Sequence, residues 1–285
     1  MDIYDKLLEI VSSGEDLEDF LTHEESYEYL YHLSQIRQNV IEWFSFKPDA
    51  RLLELGAECG ALTGLFAKRV REVVAVEDNE KKTAVNKERN RTYNNITYVT
   101  GEGLNELTRA GILSMAKGKA GEAEGSAVAE DTTGEDGIKQ VKSGADVGFD
   151  YVTIIGGFTM DKLKTASFVL KPGGTLIIAV ENKYGMRYWS GEERPYTYSR
   201  SQLMGQLKYR GYDRLYFFYP VPDYTFPLEI YSEKNLPTKG SIKQPTPVYL
   251  KDKILTLDEV KQFDMVIEDK KFEEYANSFV VVAHK

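Results

Sequence analysis

The sequence predicts an α/β fold of the doubly wound type, in which a mostly parallel sheet is buried on both faces. From Lys47 onwards, short apolar runs rich in β-branched residues alternate with helical stretches of about 10–15 residues, and this alternation is typical of βαβ units. The runs are nearly continuous in apolar residues, as expected of strands that are covered on both sides. The first run ends in a glycine turn, which in such sheets borders the ligand crevice.

Composition agrees with one such domain and sets limits on its partners. Of the 285 residues, 42% are apolar and 28% are charged, which is ordinary for a protein with an apolar core. The net charge of −9 repels phosphate backbones and argues against nucleic acid as a partner. A single cysteine, Cys59, excludes an internal disulfide and suits a reducing compartment. We find no signal-peptide pattern and no run of roughly 20 apolar residues that could span a membrane, so a cytoplasmic location is expected.

Residues 1–46 are predicted to form an N-terminal extension of acidic amphipathic helices. Two apolar stripes with helical spacing support this prediction. The first stripe is Ile3, Leu7, Leu8 and Val11, and the second is Leu30, Leu33, Ile36, Val40 and Phe44. The extension is expected to pack over an edge of the sheet.

Residues 47–285 are predicted to form a Rossmann-like domain. Its strands are expected at residues 51–55, 73–76, 96–99, 151–155, 175–180, 214–219 and 278–283, with helices around 62–66, 82–89, 161–170 and 199–209. Residues 171–174, Lys-Pro-Gly-Gly, end the third of these helices, since proline cannot continue a helix and glycine supplies the turn. Residues 114–148 contain no aromatic residue and are predicted to be a flexible insertion. Residues 220–275 are interpreted as a long, cap-like excursion before the last strand.

The most informative segment is the turn after the first strand, at residues 54–60. Glycine is needed where the backbone bends sharply or where a ligand approaches the main chain closely. The candidate cofactor contacts in this turn are Gly56, Ala57, Glu58 and Gly60. Glu54 is a further candidate, because a carboxylate replaces the apolar residue expected at the end of a buried strand. Its alternative role is to bind the start of the following helix.

Acidic residues also follow the second and third predicted strands. Glu77 ends the second strand, where an acid can accept hydrogen bonds from both hydroxyls of a ribose, and Asp78 beside it is the next candidate. The third strand leads into Glu102 and Gly103, where Glu102 is placed to accept a hydrogen bond from an adenine amino group. Together these acids predict a nucleoside cofactor. The alternative for Glu77 and Glu102 is a solvated loop acid.

Residues 54–60 resemble motif I of class I methyltransferases, and residues 170–176 resemble the segment before their fifth strand. Three more segments, 31–39, 181–191 and 219–227, resemble bacterial methyltransferases that occur alone or joined to glycosyltransferases of surface-polysaccharide synthesis. The resemblance covers most of the chain except the insertion. It implies a seven-stranded sheet, S-adenosylmethionine as methyl donor, a sugar as acceptor and a glycosyltransferase as partner.

Glu58 departs from the family pattern, which has glycine at the middle of the turn. If the backbone φ is positive there, a residue other than glycine costs on the order of 1 kcal/mol or more. The side chain can point away from the donor, reach the donor's ammonium group or obstruct the site. We expect that it is not a donor ligand, because related turns bind the donor without such a carboxylate.

The catalytic residue is not identified by the sequence, but three candidates lie on segments expected to border the acceptor. A hydroxyl acceptor needs a group that takes its proton. The candidates are Glu181, Tyr184 and Asp223, and the alternative for each is hydrogen bonding within its loop. The aromatic residues Tyr188, Trp189, Tyr196 and Tyr198 are candidates for stacking on a sugar ring, or for packing. Residues 154–158 lack the Asn/Asp-Pro-Pro-Tyr pattern of enzymes that methylate amines, which argues against nucleobase amines.

These inferences predict a methyltransferase that uses S-adenosylmethionine to O-methylate a small polar acceptor such as a sugar of a surface glycan. No metal site is predicted. A non-catalytic cofactor-binding or scaffold protein is the first alternative, favoured by Glu58 and by the lack of an evident base. A nicotinamide-dependent oxidoreductase is disfavoured, because the glycines from position 56 to position 64 do not match its Gly-x-Gly-x-x-Gly fingerprint.

Overall fold

The computed structural model describes residues 2–24, 26–101, 148–189, 197–244 and 257–285. Within these ranges eight strands form one sheet. They are, in chain order, β1 (Arg51–Leu55), β2 (Glu72–Val76), β3 (Ile96–Val99), β4 (Phe149–Ile155), β5 (Leu170–Glu181), β6 (Arg214–Val221), β7 (Glu229–Ser232) and β8 (Ser278–His284). Across the sheet the order is β3-β2-β1-β4-β5-β8-β6-β7. The chain therefore starts near the middle of the sheet, moves to one edge and then crosses to the other.

The strand directions are those of a mostly parallel sheet. Neighbouring strands from β3 through β5 all pair in parallel. The last strand of the chain, β8, lies antiparallel between β5 and β6. The doubly wound α/β prediction is confirmed. Because the strand order reverses between β1 and β4, a ligand crevice is expected at the carboxyl ends of these two strands.

One strand, β7, is additional to the seven implied by the resemblance. It forms an antiparallel pair with β6 at the edge of the sheet, with Phe218 opposite Ser232 and Val221 opposite Glu229. β7 has four residues and none of them is buried. Its sequence, Glu-Ile-Tyr-Ser, lacks the run of apolar residues by which the other strands are recognised.

The described helices connect and cover the strands. They are α1 (Ile3–Ser13), α2 (Leu17–His23), α3 (Tyr27–Leu33), a 3₁₀ helix (Gln35–Gln38), α4 (Asn39–Glu42), α5 (Thr63–Arg69), α6 (Glu80–Arg89), α7 (Met160–Val169), α8 (Met186–Trp189), α9 (Arg200–Tyr209), α10 (Glu259–Glu268) and α11 (Phe272–Tyr275). The connections β1–β2, β2–β3 and β4–β5 contain α5, α6 and α7, as predicted. α9 begins after Ser199, whose hydroxyl accepts a hydrogen bond from the backbone N–H of Gln202.

Adjacent residues of one strand point to opposite faces of the sheet and join separate apolar cores. Leu53 and Ile178 belong to the core that contains residues of α7 and α9. Leu52 and Ile177 belong to the core on the other face, together with residues of α4 and α5. All four side chains are fully buried. The sheet is thus covered on both faces, which explains the nearly continuous apolar runs of its strands.

The N-terminal helices contain one departure from the predicted pattern. α1 buries Leu7 in a small core with Val85 of α6, in agreement with the first stripe. The second stripe does not form one helix, because α3 ends before Ser34 and a 3₁₀ helix precedes α4. Ser34 Oγ accepts a hydrogen bond from the backbone N–H of Ile36 at 3.2 Å, a local bond that competes with continued helix. The break leaves Ile36 exposed.

Several predicted features lie outside the described residues. They are the insertion at 114–148 apart from Gly148, the residues Glu102, Gly103 and Tyr196, and residues 245–256 of the excursion. The described part of the excursion contains β7, α10 and α11. No helix in the described ranges is both long and apolar enough to cross a membrane.

Candidate functional site

The turn after β1 is closed by glycines at the carboxyl end of the sheet. The backbone N–H groups of Gly56 and Ala57 both donate to the carbonyl of Val76 at 2.9 Å, which ties the turn to the end of β2. The φ angle is +91° at Gly56 and +79° at Gly60. A Cβ on Gly60 would lie 2.4 Å from Asn86 Oδ1 of α6. Glycine is therefore required at position 60 both for the backbone conformation and for the close approach of α6.

A narrow cleft opens beside this turn. Its lining includes four predicted cofactor contacts, Glu54, Gly56, Ala57 and Glu58, together with Arg37, Leu62 and Ile155. The cavity volume of the cleft is about 10 Å³, far below the roughly 300–1,000 Å³ typical of small-molecule pockets. The structure thus brings most of the predicted turn residues to one cleft, and this cleft is tight.

Glu54 is buried at the end of β1 and faces both the cleft and the start of α5. Its Oε2 accepts a hydrogen bond from Thr63 Oγ1 at 2.7 Å, and Thr63 Oγ1 in turn accepts one from Asn86 Nδ2 at 3.0 Å. Burial raises the pKa of Glu54 to about 8. Glu54 therefore binds the start of α5, which is its alternative role, and it also lines the cleft.

Glu77 lies immediately after β2, and two backbone N–H groups orient its carboxylate. Glu58 donates to Oε2 at 3.0 Å and Asn79 donates to Oε1 at 3.1 Å. A carboxylate has about four acceptor positions, so this arrangement aligns both oxygens and leaves each with a lone pair for a ligand. Asp78 is directed towards the end of β3 instead, since a Cβ on Gly101 would lie 2.0 Å from its Oδ1.

Glu58 adopts the left-handed backbone conformation that its position in the turn requires, with φ +50°. Its carboxylate pairs with Lys82 Nζ of α6 at 2.6 Å. The side chain therefore lies at the rim of the cleft and is engaged with the protein. The observed ionic contact of the Glu58 side chain is with Lys82 of α6.

Arg37 is a cleft residue that the sequence reasoning missed. It lies in the 3₁₀ helix and is 4% exposed. Its Nη1 donates to the carbonyl of Tyr31 at 3.0 Å, and the guanidinium lies 4.0 Å from the centroid of the Tyr31 ring. Among the described residues no carboxylate lies within 4.0 Å of the guanidinium. A charge so deeply buried normally has an ionic partner. Within the cleft, the charge of Arg37 acts on Glu54, whose pKa it lowers against the larger effect of burial.

Lys162 is a second residue that the sequence did not single out. It is partly buried in the first turn of α7. Its Nζ lies 2.8 Å from the position that a Cβ on Gly56 would take, and 3.3 Å from that of a Cβ on Gly157. Burial lowers the pKa of Lys162, while the charges of Glu77, Glu58 and Asp78 act in the opposite direction. The ammonium group therefore lies directly against the two turns that follow β1 and β4.

Glu181 ends β5 and forms a partly buried pair with Tyr224. The Tyr224 hydroxyl donates to Glu181 Oε1 at 2.7 Å and lies 3.2 Å from where a Cβ on Gly156 would be. Burial, followed by the charge of Glu181, raises the pKa of Tyr224 well above its usual value. The phenol therefore stays protonated and serves as a donor beside the end of β4.

The other two catalytic candidates occupy different environments. Asp223 pairs with Arg187 of α8 and accepts a hydrogen bond from the backbone N–H of Thr225 at 2.7 Å. Hydrogen bonding within its own loop, the alternative role considered for Asp223, is thus observed. Tyr184 is 40% exposed. The structure thus places Glu181, with Tyr224, at the carboxyl ends of the central strands, and it places Tyr184 at the surface.

The described aromatic residues after β5 differ in exposure. Tyr188 is buried, whereas Trp189 is 55% exposed. Tyr198 packs edge-on against Phe158, with ring centroids 5.5 Å apart. Trp189 is therefore the described member of the set with most surface available for stacking on a ligand.

The chain shows only remote similarity to known proteins. No protein-family model matches the chain. Ribosomal RNA small subunit methyltransferase A of Syntrophus aciditrophicus is 35% identical over 84 residues, and the match spans 29% of this chain and 30% of that protein. A SAM-dependent methyltransferase of Archaeoglobus fulgidus superposes on 91% of this chain and 100% of its own, with 13% identity and a TM-score of 0.49.

A second solved structure is similar to a comparable degree. Phosphoethanolamine N-methyltransferase 1 of Haemonchus contortus, in complex with phosphoethanolamine and S-adenosylhomocysteine, superposes on 99% of this chain and 48% of its own. Its identity is 12% and the TM-score is 0.46. Likenesses this remote do not carry an activity from one protein to another.

Proposed function

We propose that the chain is a methyltransferase that binds S-adenosylmethionine at the carboxyl ends of β1 and β2. The observation that carries the proposal is Arg37, a buried cation that lines the cleft and has no carboxylate within 4.0 Å among the described residues. The donor has a carboxylate at its amino-acid end. An ion pair with that group would satisfy a guanidinium whose burial is otherwise costly.

Glu77 and the glycine turn support the nucleoside part of the same proposal. The Glu77 carboxylate is held by two backbone N–H groups, and its remaining lone pairs can accept both hydroxyls of a ribose. Gly56 has no side chain of its own between the main chain and a ligand, whereas the space beside Gly60 is taken by Asn86 of α6. Ala57, Glu58, Asp78, Glu102 and Gly103 remain predicted cofactor contacts.

The bound donor would supply a methyl group on a positively charged sulfur, and the protein would hold the acceptor in line with it. A hydroxyl acceptor also has to lose a proton. Glu181 is the strongest of the three catalytic candidates, because its carboxylate lies with the Tyr224 hydroxyl beside the end of β4. Tyr184 and Asp223 remain weaker candidates, Asp223 because it already pairs with Arg187.

We further propose a small polar acceptor such as a sugar of a surface glycan, with a glycosyltransferase as partner and a cytoplasmic location. The support is the resemblance of segments 181–191 and 219–227, which carry Glu181 and Asp223, and the exposure of Trp189. The net charge of −9 disfavours an RNA acceptor. Transfer of a labelled methyl group to purified surface glycan, compared with transfer to ribosomal RNA, decides between these acceptors.

A non-catalytic cofactor-binding or scaffold protein is the second candidate. Two observations favour it, the strained Glu58 that is paired with Lys82 and the small volume of the cleft. Such a protein would bind the donor weakly or not at all, and it would transfer no methyl group.

The role of Arg37 is tested by isothermal titration with two ligands that differ in the amino-acid end. S-adenosylhomocysteine carries the carboxylate, and 5′-methylthioadenosine lacks it. We expect Arg37→Met to weaken binding of S-adenosylhomocysteine by about 10- to 100-fold, since a hydrogen bond to a charged group contributes roughly 1.5–3 kcal/mol. Binding of 5′-methylthioadenosine should be unchanged.

Arg91→Met is the matched control, because Arg91 is an exposed arginine that pairs with Glu88 on the surface. It should bind both ligands as the wild type does. An equal loss for both ligands in Arg37→Met would remove Arg37 from the carboxylate site. Absence of binding by the wild type would favour the scaffold protein.

A further inference from the structure

Lys162 occupies space that a ligand of the crevice would need. Gly56 follows β1 and Gly157 follows β4, the two strands between which the strand order reverses. The Nζ atom lies within 2.8 and 3.3 Å of the Cβ positions that these two glycines lack. A residue with a side chain at either glycine would contact the ammonium group. Lys162 therefore fills the space that the two glycines leave open.

Charge rather than a fixed hydrogen bond holds the ammonium group there. Among the described residues, no hydrogen bond or ion pair joins Lys162 Nζ to an acceptor. The carboxylates of Glu77, Glu58 and Asp78 provide the attracting field. The Glu58 carboxylate is already paired with Lys82 Nζ at 2.6 Å. Within the described ranges, Glu77 and Asp78 therefore attract the Lys162 ammonium group without a competing lysine partner of their own. A flexible lysine stem can leave such a position without breaking a defined contact.

We infer that Lys162 is an internal competitor for the donor site, a cation that lies in the crevice and must move out when S-adenosylmethionine enters. The inference rests on the proposed function. It follows from the position of Nζ against both glycine turns, from the small volume of the neighbouring cleft, and from the acids that attract any cation to this place. S-adenosylmethionine carries a positive sulfur, so it also meets the ammonium group as a like charge.

The inference predicts a discrimination between two ligands of nearly the same shape. S-adenosylhomocysteine has a neutral sulfur and is repelled less by a neighbouring ammonium group. Lys162 should therefore reduce the affinity for S-adenosylmethionine more than the affinity for S-adenosylhomocysteine. A residue that only lines the site would affect the two ligands equally.

Isothermal titration of Lys162→Met with both ligands tests the inference. Methionine keeps the length of the side chain and removes the charge. We expect S-adenosylmethionine to bind about tenfold more tightly than to the wild type, and S-adenosylhomocysteine at most about threefold more tightly. Lys164→Met is the control, since Lys164 lies on the same helix, is exposed and pairs with Asp161. It should leave both affinities unchanged.

Three results would overturn the inference. Weaker binding of S-adenosylmethionine by Lys162→Met would make Lys162 a donor ligand. Unchanged affinities, or equal gains for both ligands, would exclude competition by charge. In each of these cases binding by the wild type would leave the proposed function standing. If neither the wild type nor the variant binds either ligand, the proposed function fails and the inference fails with it. Lys162→Gln provides a second neutral variant should the methionine variant be unstable.

Discussion

Replacement of Glu58 by glycine and by alanine separates two physical effects at this position. Glu58 has φ +50°, and its carboxylate lies 2.6 Å from Lys82 Nζ. Glycine relieves the backbone strain and removes the ion pair. Alanine removes the ion pair and leaves the strain. The difference in stability between the two variants therefore measures the backbone conformation alone.

The structure provides the expected magnitudes. The left-handed conformation costs a residue with a Cβ roughly 1–2 kcal/mol. Glycine loses about 0.5–1 kcal/mol through the greater freedom of its unfolded chain. The ion pair contributes about 0.5–1 kcal/mol, because its side chains are 18% and 31% exposed. We expect Glu58→Gly to lie within about 1 kcal/mol of the wild type, and Glu58→Ala to be about 0.5–1 kcal/mol less stable than Glu58→Gly.

Urea unfolding followed by tryptophan fluorescence measures these differences, provided that the dependence on urea is the same for all variants. Lys82→Met and the double variant Glu58→Ala/Lys82→Met isolate the energy of the ion pair. If Glu58→Ala is more stable than Glu58→Gly, the backbone at position 58 is not left-handed and the reasoning fails. Binding of S-adenosylhomocysteine to Glu58→Gly should be unchanged or stronger, and a tenfold loss would make Glu58 a donor ligand.

Two further predictions concern Glu77 and the buried Glu54. Glu77→Ala should weaken binding of S-adenosylhomocysteine by about 10- to 100-fold, because the proposed ribose contact is lost. Titration calorimetry measures the affinity, with Glu80→Ala as the control. An unchanged affinity would exclude Glu77 from the site. Burial raises the pKa of Glu54 to about 8 from its ordinary value of 4.5. The protonated Glu54 side chain therefore contributes fully to the free energy of unfolding below pH 4.5, and this contribution is lost as the pH rises through 8. Glu54→Gln cannot ionise, and its stability in urea should exceed that of the wild type by a margin that grows from pH 4.5 to pH 8, up to about 4–5 kcal/mol; a margin independent of pH would contradict the shifted pKa.

The strands and crossover helices of the central sheet could be predicted from the sequence because their signals are local. A buried strand such as β4 is a short run of apolar residues, and a helix start such as Ser199 is marked by its own side chain. The glycine turn at residues 56–60 is also local, since a positive φ selects its residue type. Where the local signal was weak, prediction failed. β7 is a four-residue edge strand, Glu-Ile-Tyr-Ser, without a run of apolar residues, and Ser34 interrupts a stripe that otherwise has helical spacing.

The composition of the candidate site depended on the tertiary structure. Arg37 comes from a 3₁₀ helix before β1 and lines the cleft beside the turn. Lys162 comes from the helix after β4 and meets the same turn because β1 and β4 are neighbours in the sheet. In the same way, Glu58 pairs with Lys82 of α6. Glu181 accepts a hydrogen bond from Tyr224, which lies 43 residues further along the chain. Spacing within the sequence carries no signal for such pairs. The sequence by itself determined which segments form the sheet and where its glycine turn lies, because these depend on neighbours along the chain. Which charges meet at that turn was decided by strand order and register, which bring distant segments together.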